Sequence, residues 1–511
     1  MAASEVWKQY GMPRFRALPD QTRWTVGTSA AVVLAILLFF VDHALGYATL
    51  TITALWWIRH LPPLPWRLVA QIGLVAIYLA TGVSSLAIAL AIAFAVFWVP
   101  QPYRTRVLPV VAVALAILYP MYQTKMFTVP VFGVWPDVAT GVVMLVFIMM
   151  AVGLNIVVGY AGLLDLGYVA FYAMGAYTAA WFSSLQFSNR HFHFGAVGIT
   201  PDMPGIHLSV WIILALAGIV TAVTGILIGL PTLRLRGDYL AIVTLGFGEI
   251  LPQIARNGDN LFGTGFNLTN GPNGITPLDS PGFGRGISNA TGGFLPANYL
   301  SCCHAQVLGH QVISTDVFYW TAILLLLITV FCSLRLQYSR LGRAWIAIRE
   351  DETAAAAMGV PLMRTKTWAY ATGAFFGGVA GAYYASFRSA TFPGDFFFNI
   401  SVFILCMVIL GGMGNVWGVI VGAGFLAYLD REGLANTGAW INSNIHVGSW
   451  HPNIEVPLYA SGIYGVIILV VMLFRPEGLI PSRRIAAEMH EGVHDQPLYD
   501  VQHVGAEVEA T

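Results

Sequence analysis

Apolar stretches recur along the whole chain, separated by short polar connections. A helix needs roughly 20 apolar residues to cross a bilayer, within a range of about 17–25. Runs of that kind cover 24–41, 138–158, 163–185, 208–230, 317–334, 366–386 and 458–474. Shorter or merged runs cover 44–58, 68–82, 84–99, 107–121, 239–255, 399–411 and 416–429. The pattern predicts an all-α polytopic membrane protein with about fourteen transmembrane segments. The pairs 68–99 and 399–429 read either as full crossings or as re-entrant hairpins.

Charge in the short connections sets orientation. Basic residues gather at Lys8, Arg14, Arg16 and Arg23, at Arg59 and Arg67, at Arg104 and Arg106, and at Arg234 and Arg236. They gather again at Arg335, Arg340, Arg343, Arg349, Arg364 and Lys366, and at Arg475, Arg483 and Arg484. Placing all of these in the cytoplasm closes the parity of the crossings, with both termini inside. The segments 186–207, 256–316, 387–398 and 430–457 then face outward, and they are rich in Gly, Asn, Pro and His. The chain divides into an N-terminal membrane extension (1–106, about four spans) and a core (107–480, about ten spans). A polar tail, 485–511, carries Glu488, Glu491, Asp495, Asp500 and Glu507 and is expected to be disordered.

Composition agrees with a lipid-facing surface. Of the 511 residues, 57% are hydrophobic and 10% charged, and the mean hydropathy is +0.70. Soluble domains carry roughly 25% charged residues. The formal net charge is +0, with 25 basic and 25 acidic side chains, so nothing points to nucleic acid. The cysteines Cys302, Cys303, Cys332 and Cys406 lack metal-ligand spacing, and neither a metal nor another cofactor is expected. The first apolar run lacks a small-residue cleavage site and reads as a retained span.

Two segments stand out. Arg340–Gly359 is polar and Ala-rich, made of strong helix formers, with Pro361 beyond the glycine. It predicts a short helix outside the membrane whose small residues suit docking into a groove on a partner. Asn155-Ile-Val-Val-Gly-Tyr-Ala-Gly-Leu-Leu-Asp-Leu-Gly-Tyr-Val-Ala-Phe-Tyr-Ala-Met-Gly-Ala-Tyr177 is glycine-punctuated between two apolar runs.

The Asn155–Tyr177 stretch resembles the signature of the LivM/LivH-type permeases for branched-chain amino acids. Gly237–Glu249, Thr269–Ile275, Gly411–Gly418 and Arg475–Leu479 resemble the LivM branch, so the resemblance covers about 138–480. Glu352-Thr-Ala-Ala-Ala-Ala-Met-Gly359 resembles the coupling-helix loop of ABC importer permeases, although its Glu is not directly followed by the Ala pair. The resemblance implies a subunit without catalytic residues. It would work with two ABC ATPases, a second related permease and an external solute-binding protein. The implied fold is similar to that of the ten-helix permease of the vitamin B12 importer. Coupling to the ATPases would fall to the loop 335–366, on Arg343, Arg349, Glu350, Asp351, Glu352, Ala355 and Gly359. The chain has lysines at Lys8, Lys125 and Lys366, none of which follows a glycine, so a P-loop is excluded.

Polar and irregular positions inside spans are the candidates for a translocation path. They are Asn155, Gly159, Gly162, Gly167 and Glu249, with Asp165 read as an interfacial cap. Rows of glycine at Gly373, Gly377 and Gly381, and at Gly414, Gly418 and Gly422, predict close helix packing. His191, His193, His207, His304 and His310 fall in the external segments and read as surface residues. A urea or short-amide importer permease is an alternative within the class. An ion-coupled secondary transporter is one outside it, and would need carboxylates deep in the core.

Overall fold

A computed structural model describes Ala35 and residues 43–60, 66–80, 84–126, 135–198, 200, 202–234, 238–260, 263–292, 295–300, 306–307, 310–444 and 454–480. The expected span 24–41 apart from Ala35, the basic residues Lys8, Arg14, Arg16, Arg23, Arg236, Arg483 and Arg484, the residues Cys302, Cys303 and His304, and the tail 485–511 lie outside the described residues.

Each apolar run within the described residues lies on a helix. The N-terminal part contains α1 (His43–His60), α2 (Trp66–Ala80) and α3 (Ser84–Trp98). These three form a small cluster of their own around Tyr78, Ala87 and Leu90. Tyr78 and Thr51 share a hydroxyl hydrogen bond of 2.6 Å, and Trp98 Nε1 donates to Gln71 Oε1 at 2.5 Å. The next helix, α4 (Gln101–Tyr122), leans on the main body, where Trp320 Nε1 donates to Ile117 O at 2.8 Å.

The main body is built around α5 (Val138–Asn155), which Asp137 caps by accepting from Thr140 N at 2.7 Å. Its apolar residues point in all directions, as suits a helix enclosed by others. There follow α6 (Tyr168–Phe182), α7 (Val210–Thr232), α8 (Asp238–Arg256) and the short α9 (Gly284–Ala290). Then come α10 (Ser314–Gln337), α11 (Arg340–Glu350), α12 (Glu352–Ala357) and α13 (Leu362–Arg388). The last are α14 (Phe398–Gly411), α15 (Val416–Tyr428), α16 (Leu434–Asn444) and α17 (Ala460–Phe474). Helices α6, α7 and α13 pack as one bundle, while α5 is surrounded by α10, α13, α14 and α15.

Among the described residues, six helical segments are long and apolar enough to cross a membrane. They are Arg106–Lys125, Val138–Tyr160, Val210–Thr232, Ser314–Gln337, Pro393–Gly411 and Val456–Phe474. Helices α8 and α13 have the length but more polar and small residues, and α6 has only 15 residues.

The outward segments carry short strands: β1 (Ser183–Ser184), β2 (His191–Phe194) and β3 (Gly205–Leu208) form a small sheet in the order β1-β3-β2, and β4 (Gln306–Val307) pairs with β5 (His310–Gln311). At the start of the segment 430–457, a π-helical turn, Leu429–Gly433, leads from α15 into α16 (Leu434–Asn444). His207 is buried and not a surface residue. Its Nδ1 lies 2.7 Å from Asp279 Oδ2, and its ring stands edge-on to His193 at 5.1 Å. Burial pushes the Asp279 carboxyl above its ordinary range, partly offset by the hydrogen bond and charge of His207.

Candidate functional site

At its C-terminal end α5 loses regular geometry. It passes into a π-helical turn, Ile156–Tyr160, and the chain runs irregularly to Gly167 before α6 begins. Gly162 has φ +68°, a conformation side chains disfavour. Irregular backbone at membrane depth is tolerated only where protein or water satisfies it, and here neighbouring helices do so. Leu163 N donates to Val157 O at 3.1 Å, Leu166 N to Thr244 Oγ1 at 3.1 Å, and Val169 N to Ser401 Oγ at 2.8 Å. Tyr168 OH donates to Gly373 O at 2.9 Å.

Asn155, fully buried, closes this junction from one side. Its Oδ1 accepts from Gly414 N at 2.9 Å, which joins the Asn155–Tyr177 stretch to the Gly411–Gly418 stretch. A Cβ on Gly159 would collide with that same Asn155 side chain and with Gly414 N at 2.7 Å. Asn155 Nδ2 is buried without a hydrogen-bond partner among the described residues. Asp165 is buried, 1% exposed, and its Oδ1 accepts from Gly167 N at 2.8 Å, just ahead of α6.

From the other side comes Arg349. Its Nη1 donates to Gly159 O, and its side-chain stem lies where a Cβ on Gly162 would sit, with Cγ 2.7 Å away. Residues expected to couple and residues expected to line a path are therefore in contact.

The segment carrying Arg349 differs from the single expected helix. It breaks at Asp351, because that side chain caps a second helix by accepting from Thr353 N at 2.8 Å and Ala354 N at 3.0 Å. The first helix, α11, is anchored by fully buried Trp345, whose Nε1 donates to Thr365 O at 2.8 Å. The second, α12, ends at Gly359 and is held by Glu352, paired with buried Lys366 Nζ at 2.8 Å. Ala355 faces the protein's own body and is 4% exposed. The outward face of α12 is Thr353, Ala354, Ala356 and Ala357, followed by Met358 at 85% exposure. Arg343 and Glu350 are exposed on α11. Met358 was not legible as a surface group, because an isolated Met in an Ala-rich run reads equally as core.

The Asp351 cap supports a pH prediction. Hydrogen bonds from the Thr353 hydroxyl and from the Thr353 and Ala354 amides hold its carboxyl below the ordinary aspartate range. Its contribution is therefore fully present above the ordinary value of about 3.9 and is lost as pH falls through the lowered native value. Asp351→Ala should speed amide exchange at Thr353 and Ala354 at neutral pH, with the rest of the permease unchanged; equal exchange in both proteins would deny the cap.

Glu249 does not join the junction. It lies exposed on the outer face of α8, beside an open cavity of about 630 Å³ also lined by Gln253, Asn257 and Asn260. The glycine rows are packing contacts. Gly373 faces Val157, Gly377 lies against the Tyr168 ring, Gly381 sits on Tyr172 and Ala176, and Gly418 and Gly422 close on Gly411. Sequence spacing passed over an approach as close as that at Gly381, Gly175 of α6 against Gly378 of α13. The Arg475–Leu479 stretch docks beside the junction: Leu479 N donates to Leu410 O at 2.9 Å, and Asn415 Nδ2 to Ile480 O at 2.9 Å.

A family model described as the permease component of branched-chain amino acid transport systems matches residues 138–472. The chain is 36% identical over 362 residues to the high-affinity branched-chain amino acid transport system permease protein LivM of Salmonella typhimurium, covering 70% of this chain and 72% of that one. It is 35% identical over 361 residues, with the same coverage, to LivM of Escherichia coli. It is 27% identical over 278 residues to a probable LivM of Methanocaldococcus jannaschii, covering 53% and 70%. No solved structure matches the chain.

Proposed function

The chain belongs to the permease components of branched-chain amino acid transport systems, and on that premise we propose that it carries branched-chain amino acids inward across the membrane, by alternating access driven by partner ATPases. Family membership over most of the apolar core is the observation that carries this reading. It makes the chain a multi-pass inner-membrane protein acting with other subunits. We assign it, more finely, about fourteen crossings with both termini in the cytoplasm, and a ten-helix core similar to that of the vitamin B12 importer permease. Two ATPases, a second related permease and an external solute-binding protein complete the importer.

Geometry supports a division of labour. The outward face of α12, with its small residues and Met358, is a surface onto which an ATPase can close. Arg349 carries the displacement of α11 and α12 into the Asn155–Gly167 junction, with no residue between them. Glu249 and Gln253 form a polar stripe on the otherwise apolar outer face of α8, continued past its end by Asn257 and Asn260. Such groups are costly against lipid, so this face is assigned to a polar path closed by the second permease.

The test is uptake of labelled leucine by the whole complex in proteoliposomes. Wild type accumulates leucine when supplied with ATP. Glu249→Leu lowers uptake by about tenfold, equivalent to ~1.4 kcal/mol in a rate, and Glu249→Gln retains most of it. Unchanged uptake in Glu249→Leu removes α8 from the path. Uptake driven by a sodium or proton gradient without ATP sinks the importer reading.

A further inference from the structure

A second group of charges sits at the opposite end of the bundle from α11 and α12, away from the junction. The π-helical turn Leu429–Gly433 carries Asp430 and Arg431 to the mouth of a cleft of about 300 Å³ between α5, α14 and α17. That volume falls at the lower end of small-molecule sites, roughly 300–1,000 Å³. π-Helical turns inside helices frequently mark functional positions. Phe147, Phe403 and Tyr464 form an aromatic strip along the cleft, beside Asn399, Cys406 and Ser461. Phe147 meets Phe403 edge-on with ring centres 5.7 Å apart, and Phe403 lies 5.0 Å from Tyr464.

The two charges are arranged as a pair. Arg431 Nε lies 3.2 Å from Asp430 Oδ2, and Tyr464 OH donates to Asp430 Oδ1 at 2.7 Å. The guanidinium stands over the Phe147 ring at 5.3 Å. Both side chains remain partly open, Arg431 at 41% and Asp430 at 28%. A guanidinium has five N–H donors and a carboxylate about four acceptor positions, so the contacts described leave each able to bind more.

We propose that this cleft binds a free α-amino acid with an apolar side chain: the carboxylate on Arg431, the ammonium on Asp430 and the side chain between Phe147, Phe403 and Tyr464. The proposal rests on the transport reading given above and adds a site to it. Charge complementarity favours this occupant, because one anion and one cation side by side match a zwitterion, and the aromatic strip matches its hydrocarbon. Helix α14 touches both α8 and α17, so the cleft and the polar stripe of α8 flank one helix.

The experiment uses a diazirine analogue of leucine with the whole reconstituted complex, and maps the labelled peptides by mass spectrometry. Labels are expected on peptides holding Phe147, Phe403 or Tyr464. Leucine should compete, whereas leucinamide, lacking the carboxylate, and isocaproate, lacking the ammonium, should compete at least about tenfold more weakly, as the loss of a charged hydrogen bond implies. Arg431→Gln should abolish the preference over leucinamide, and Asp430→Asn the preference over isocaproate. Arg431→Lys, which keeps the charge without the fork, should restore part of the former. Labels found only elsewhere while ATP-driven leucine uptake persists would overturn the site and leave the transport reading intact. Labels displaced by phosphatidylethanolamine but not by leucine would assign the cleft to lipid and overturn the proposal. A wild-type complex that takes up no leucine would overturn the transport reading itself.

Discussion

Arg349→Ala should leave a folded permease that no longer converts ATP hydrolysis into transport. The residue belongs to the exposed two-helix segment, yet its guanidinium donates to Gly159 O and its stem covers Gly162. Removing it deletes that hydrogen bond and the cover over Gly162. A hydrogen bond to a charged group is worth about 1.5–3 kcal/mol, and an unmet buried acceptor costs about 1–3 kcal/mol. The first, even at its lower bound, is enough to shift a two-state balance by roughly tenfold. The measurement is the number of ATP molecules hydrolysed per leucine taken up in proteoliposomes. That ratio should rise at least about tenfold in Arg349→Ala. Arg349→Lys should sit between, since a lysine keeps the charge but not the planar fork. If the ratio in Arg349→Ala stays at the wild-type value, force reaches the junction by another route, such as the buried Trp345 or the Glu352–Lys366 pair.

The helices were legible because burial in lipid leaves a long apolar run on each of them, and such a run survives in the sequence whatever its neighbours are. The site was legible only in parts. Asn155 and Gly414 are 259 residues apart in the chain, and nothing local to either announces the bond between them. Arg349 read as one of several cytoplasmic charges, because a basic residue looks the same whether it meets water or a backbone carbonyl. The break at Asp351 is a competition that periodicity cannot see: Ala and Glu favour a continuous helix, while an aspartate able to cap Thr353 and Ala354 favours two. Once the chain breaks there, the second helix turns Ala355 inward and Met358 outward. Glu249 was found by its cost, as a carboxylate in an apolar run, but cost alone does not say which way it faces. Asp430 and Arg431 were missed for the converse reason. They lie just beyond an apolar run, where charge is ordinary, and only the packing of α5, α14 and α17 turns them toward a cleft.

The largest effect on stability should come from Gly378. A Cβ at Gly175 would lie 2.5 Å from Gly378 Cα, and a Cβ at Gly378 would lie 2.7 Å from Thr221 Cβ. Three helices, α6, α7 and α13, thus meet at one level: a Cβ on Gly175 would run into Gly378 main chain, and a Cβ on Gly378 would run into the Thr221 side chain. Overpacking a tight core typically costs about 1–3 kcal/mol, occasionally more. Gly378→Val should therefore lose the folded permease from the membrane, and Gly378→Ala should lower the melting temperature of the solubilised protein. Thr221→Ala should rescue Gly378→Ala only in part, since it removes Oγ1 and Cγ2 but leaves the Cβ of residue 221 at 2.7 Å from the added methyl. Gly246, on α8, is the control: nothing lies within 4 Å of a Cβ added there. Gly246→Ala should melt at or above wild type, because alanine favours a helix by about 1 kcal/mol over glycine. The pair of alanine variants also separates static packing from sliding. If the glycine face only packs, melting and uptake fall together in Gly378→Ala. If α13 slides past α6 during transport, uptake falls at temperatures where the variant is still fully folded. A Gly378→Ala protein that melts and transports like wild type would mean that Thr221 and α7 give way at little cost, and the absence of a side chain at Gly378 would then have no role in holding the helices at this distance.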